Sequence, residues 1–106
     1  MTFKETSDQI ILISDERRAQ REDFCEVVIS VDKLDEALQI MEAHFGPPLK
    51  PPGQVAAGEA QKYAEPYGGV AVNQTLYYKK GETCAEMAML WPWGSGAAIT
   101  FKLIRL

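Results

Sequence analysis

The last third of the chain does most to limit what it can fold into. Val70, Val72, Leu76 and Tyr78 alternate with Ala71, Asn73, Thr75 and Tyr77, and Thr83, Ala85, Met87, Met89 and Trp91 alternate with Cys84, Glu86, Ala88 and Leu90. After Pro92-Trp93-Gly94-Ser95-Gly96, residues Ala97, Ile99, Phe101 and Leu103 alternate with Ala98, Thr100, Lys102 and Ile104. A period of two with β-branched and aromatic residues predicts strands, and the short connections at Lys79–Glu82 and Pro92–Gly96 predict hairpin turns. Three such strands in succession make an antiparallel meander.

A fourth strand is predicted from Phe24 to Val31, where Cys25, Val27, Ile29 and Val31 share one face and Phe24, Glu26, Val28 and Ser30 the other. Asp32 then reads as an N-cap. Leu34, Ala37, Leu38, Met41 and Phe45 recur at the spacing of one apolar helical stripe, which Gly46, Pro47 and Pro48 end. The spacing predicts an amphipathic helix from Lys33 to Phe45. Residues 46–69 are rich in proline and glycine and read as a crossover loop, with room for a weak helix near Val55–Ala64. At the N-terminus, residues 1–23 read as an edge strand over Gln9–Ser14 followed by the charged connection Asp15–Asp23, a solvated loop or one exposed helical turn.

The expected fold is therefore one α+β domain over residues 1–106. It has a mostly antiparallel sheet of four to five strands in the order β-β-α-(long loop)-β-β-β, with one amphipathic helix on one face. A single helix covers a single side. Alternation assigns Phe24, Glu26, Val28 and Ser30, then Asn73, Thr75 and Tyr77, then Glu86 and Leu90, then Thr100, Lys102 and Ile104 to the side left bare. That face is neither cleanly polar nor cleanly apolar, which suits a dimer interface or a pocket floor better than plain solvent.

Composition narrows the functional classes. A chain of 106 residues, 46% hydrophobic and 25% charged, is long enough for one core. Its net charge of -4 and scattered basic residues give no positive stripe for nucleic acid. The apolar run Ile10–Ile13 is too short for a signal-peptide core or a membrane span, so a cytoplasmic location without membrane association is expected. There Cys25 and Cys84 read as small buried thiols. One histidine and two separated cysteines make a zinc or copper site improbable, and no metal or cofactor is expected. His44 stands on the flank of the helical stripe with no carboxylate three or four residues before it. Without an orienting partner it reads as structural.

No nucleophile elbow is present, and the Gly94-Ser95-Gly96 step opens no helix, so neither acyl transfer nor phosphate binding is indicated. Glu26 and Glu86 share the bare face. They form a carboxylate pair only if their strands are neighbours; otherwise both are solvated. Trp91 is assigned to the helix side of the sheet and Trp93, beyond Pro92, to its rim, a natural position for an interface anchor.

The stretch VVISVDKLDEALQIMEAHFGPP, followed by three strands, resembles the opening of a βαβββ module of the vicinal oxygen chelate superfamily, which includes glyoxalase and bleomycin-resistance proteins. The resemblance implies paired modules completing a cupped sheet. It also implies a metal held by strand histidine and glutamate, but the first strand here has no histidine and Glu86 is the one acid expected in the last three strands.

Together these readings predict a binding or interaction module that homodimerises through the bare face, with Phe24, Val28, Leu90, Trp93 and Ile104 at the interface. The alternative is a small-molecule site or metal-independent enzyme on that face. Its ligand-binding residues would be Glu26, Asn73, Thr75, Tyr77, Glu86 and Thr100, with no catalytic residue assigned beyond Glu86 acting with Tyr77 or Asn73. A third reading has Trp93 and the loop bearing Tyr63 and Tyr67 recognising another protein.

Overall fold

The computed structural model describes residues 2–81 and 83–106. Helix α1 spans Phe3–Ile13, strand β1 Glu16–Arg21, strand β2 Phe24–Ser30, helix α2 Leu34–Phe45 and helix α3 Gly58–Ala64. Strands β3 (Thr75–Lys80), β4 (Ala85–Pro92) and β5 (Ala98–Arg105) complete an antiparallel sheet in the order β1-β2-β5-β4-β3. The fold is α+β, with the meander and the strand-helix joint in the predicted order. The turn expected at Lys79–Glu82 falls partly on Glu82, which lies outside the described residues.

Two N-terminal assignments change. The Ile10–Ile13 run belongs to α1, and the strand falls on the charged segment that follows. Thr2 opens α1 with a reciprocal capping box: its hydroxyl accepts from the Glu5 N–H, and the Glu5 carboxylate accepts from the Thr2 N–H. Phe3, Ser7 and Ile10 then turn inward at helical spacing. Segment β1 has no apolar pattern of its own. It is a strand because β2 would otherwise expose an unpaired edge, and its charged side chains and the irregular register between Arg17 and Ala19 suit an edge position. Asp15 fixes the entry, its carboxylate accepting from the Ser30 N–H at 2.6 Å and from Lys33 Nζ at 3.1 Å. Asp32 lies in a 3-10 turn ahead of α2 and forms no side-chain cap.

The larger change concerns cover. Helices α1 and α2 pack on Cys25, Val27, Ile29, Tyr77, Ala88, Leu90, Ile99, Phe101 and Leu103. On the other side, Ala60 and Ala64 of α3 pack with Leu76, Met87, Met89 and Ile104, flanked by Phe24, Tyr63, Tyr78 and Trp91. The proline-bounded crossover thus folds across the face expected to be bare. Small alanines bring α3 close to the methionines, and Tyr63 stacks on Tyr78 with ring centroids 4.0 Å apart.

With both sides apolar, alternation alone could not phase one strand against the next. In β2 and β5 the predicted faces hold. In β3 and β4 they are inverted, since register aligns Trp91 with Thr100 and Val28, and Tyr77 with Ala88, Leu103 and Cys25.

Lys50 locks the crossover to β3. It exchanges backbone hydrogen bonds with Leu76, and its ammonium, 2% exposed as a residue, donates to the carbonyls of Ala71, Val72 and Gln74. These neutral acceptors replace the water that burial removes. Lys50→Met should strand three carbonyls and lower stability by about 3 kcal/mol, read from urea unfolding; an unchanged midpoint would show the clamp to be dispensable.

Candidate functional site

The residues predicted to meet on one face divide between two. Glu26 and Thr100 lie on the α3 side, whereas Thr75, Tyr77 and Glu86 lie on the α2 side, so Glu26 and Glu86 form no carboxylate pair. Thr100 is occupied structurally, its hydroxyl accepting from the Trp93 indole N–H at 2.9 Å. Glu26 lies 3.9 Å from Arg18.

The expected interface residues are similarly spent. Val28, Leu90 and Ile104 are buried by the chain itself, Leu90 on the α2 side, and Phe24 packs beside the α3 cluster. Trp93 alone of the five is exposed, at 41%, with the Arg18 guanidinium 5.8 Å from its ring. Trp91 is half-buried on the α3 side under the Lys102 ammonium, 3.7 Å from its ring centroid.

Asn73, Thr75 and Tyr77 do converge, at a cleft of about 280 Å³ between α2 and the sheet. Its floor is Thr75, Tyr77, Leu90 and Ile99, all buried, and Leu34, Leu38 and Pro48 form half-buried walls. Glu42, Asn73, Pro52 and Pro92 stand at the exposed mouth. Each element contributes for a local reason. The helical stripe presents Leu34 and Leu38 downward with Glu42 one turn further on, and Pro48 and Pro52 keep the chain after α2 from continuing the helix across the opening.

The polar groups are few and placed. Tyr77 Oη lies 3.5 Å from Glu42 Oε2, at the outer limit of a hydrogen bond. Burial, with the Glu42 charge adding to it, pushes the Tyr77 phenol up to about 12, so at neutral pH it is a donor and not a base. Glu42 was not among the predicted residues. Its helical position, one turn beyond Leu38 on the edge of the stripe, is the signal that could have found it.

A larger depression of about 740 Å³ lies between Val55 and Val72, lined by Gln61, Glu65 and the Gly68–Gly69 backbone. It lacks a buried polar side chain and an apolar floor, and the smaller cleft is the better built site.

His44 has the partner that local sequence did not show. Its Nε2 lies 2.6 Å from Glu86 Oε1, the two side chains 1% and 17% exposed, while Nδ1 has no hydrogen-bond partner. The pair joins α2 to β4 outside the cleft lining. No group of three or more histidine, cysteine, aspartate or glutamate side chains is arranged to hold a metal among the described residues. No helix there is long and apolar enough to cross a membrane.

Glu86→Ala should leave the His44 ring without its buried partner and lower stability by about 2 kcal/mol, measured by thermal unfolding. The cleft should keep its shape, so a loss of stability that also erased ligand binding would mean that the pair shapes the site. No protein-family model, curated protein or solved structure matches this chain.

Proposed function

We propose that the protein is a small-molecule binding module whose ligand lies in the cleft between α2 and the β3–β4 half of the sheet. The observation that carries this is the convergence of Glu42, Asn73, Thr75 and Tyr77 on a concave apolar floor. A closed core would fill that volume, and a plain surface would not bury a threonine and a tyrosine at its base. Binding is favoured over catalysis because Tyr77 stays protonated and Glu86 is engaged with His44. Two free thiols, Cys25 buried, support a reducing, cytoplasmic setting.

The neutral probe 2-phenylethanol should shift amide resonances of Leu38, Thr75, Tyr77 and Leu90 in a titration followed by NMR. Leu38→Trp, which fills the cleft from its wall, should weaken that binding by about tenfold or more while the protein stays folded. Shifts scattered over the surface, or binding indifferent to the tryptophan, would remove the cleft as the site.

Self-association is the second reading, now centred on the exposed Trp93 beside Arg18 instead of on a bare sheet. Aromatic and arginine side chains in such a pairing are common interface anchors. It predicts a dimer mass at micromolar concentration that Trp93→Ala converts to monomer while the circular dichroism spectrum stays that of the folded protein, with stability lowered by about 1 kcal/mol through loss of the Thr100 hydrogen bond; a monomeric parent protein would end it.

A further inference from the structure

We propose that the cleft selects a compact organic cation, a primary ammonium at Glu42 carried on an apolar or aryl body that runs along α2 toward Leu34. This rests on the cleft being the ligand site and adds the ligand's chemical class.

Two features point to a cation. First, its one carboxylate is opposed by no lysine, arginine or histidine among the eleven lining residues, so an anionic ligand would meet uncompensated repulsion. Glu42 has no ion pair elsewhere among the described residues, and the buried Lys50 ammonium is consumed by three carbonyls. Second, Glu42 stands in the last turn of α2, whose C-terminal carbonyls carry partial negative charge and favour a cation there.

The remaining lining sets the body of the ligand. Leu34 and Glu42 are eight residues apart on α2, about 12 Å along the axis. Between them Leu34, Leu38, Leu90, Pro92 and Ile99 offer no hydrogen-bonding side chain, so the far end of the ligand is hydrocarbon. At protein-like packing a volume of about 280 Å³ holds roughly a dozen non-hydrogen atoms. Thr75 and Asn73 are the other polar side chains of the lining, Thr75 standing opposite Leu90 in the sheet.

The test compares 2-phenylethylammonium with its neutral isostere 2-phenylethanol and with the anion phenylacetate, each titrated at pH 7 and low salt into the parent protein and into Glu42→Gln. The ammonium should bind about fivefold more tightly than the alcohol, the gain expected of an accessible ion pair, and phenylacetate should bind most weakly. The preference should shrink at high salt and vanish in E42Q, whose amide spectrum reports that it is folded. If the alcohol binds as well as the ammonium, or the preference survives in E42Q, the cation assignment is overturned while the cleft stands as a neutral-ligand site. If none of the three probes shifts the cleft resonances, the site itself is wrong and the assignment falls with it.

Discussion

The structure depends on two-sided burial of a single sheet by segments of its own chain. A five-stranded sheet of this composition has apolar side chains on both faces, and each must lose its contact with water. Helices α1 and α2 cover one face, and α3, a short helix in a proline-rich crossover, covers the other over Leu76, Met87, Met89 and Ile104. Because α3 brings alanines to the sheet, Met87, Met89 and Leu76 can stand tall beneath it, while Ala88 on the opposite face gives room to the Tyr77 ring beside α2. The cleft follows from this division. Where α2 ends at Gly46 and the chain leaves through Pro47 and Pro48, cover over β3 and β4 is incomplete, and the gap has an apolar floor with a polar mouth.

The polar groups within this framework have distinct energetic roles. Lys50 and the His44–Glu86 pair are buried and partnered, and they tie the crossover to β3 and α2 to β4. Their hydrogen bonds offset desolvation more than they add stability, so removing one partner costs more than the pair contributes. Glu42, by contrast, is exposed and only weakly approached by Tyr77, which leaves its charge available to a ligand. A carboxylate without an ion pair among the described residues, at the mouth of an apolar cleft, is a different object from a solvated surface glutamate, because a ligand entering the cleft excludes water from one side of it.

Much of the architecture was legible locally. The β2–α2 joint, the termination at Gly46 and the meander were all carried by period, caps and turn residues within short windows. Thr75 and Tyr77 share a face because residues at i and i+2 of a strand do so whichever face it is, whereas Asn73, read as part of the same strand, lies in the turn that precedes it and reaches the cleft from there. What failed was the assignment of that face, and with it the companionship of Glu26 and Thr100. The capping box at Thr2–Glu5 was present in the sequence, but the apolar run Ile10–Ile13 outweighed it, as short apolar runs leave helix and strand ambiguous. Segment β1 carried no signal of its own, because an edge strand takes its conformation from its neighbour.

The sequence by itself determined the fold class, the stop of α2 at Gly46, the turn after Pro92 and the alternation within β2 and β5, since these depend on interactions a few residues long. Tertiary structure alone decided which face of β3 and β4 meets α2, that α3 closes the opposite side, that His44 finds Glu86, and that Glu42 joins Tyr77. Each of these pairs residues far apart in the chain, and the competition that settles them is between alternative ways of burying similar apolar faces. Local pattern does not distinguish those ways, whereas packing volume and register do.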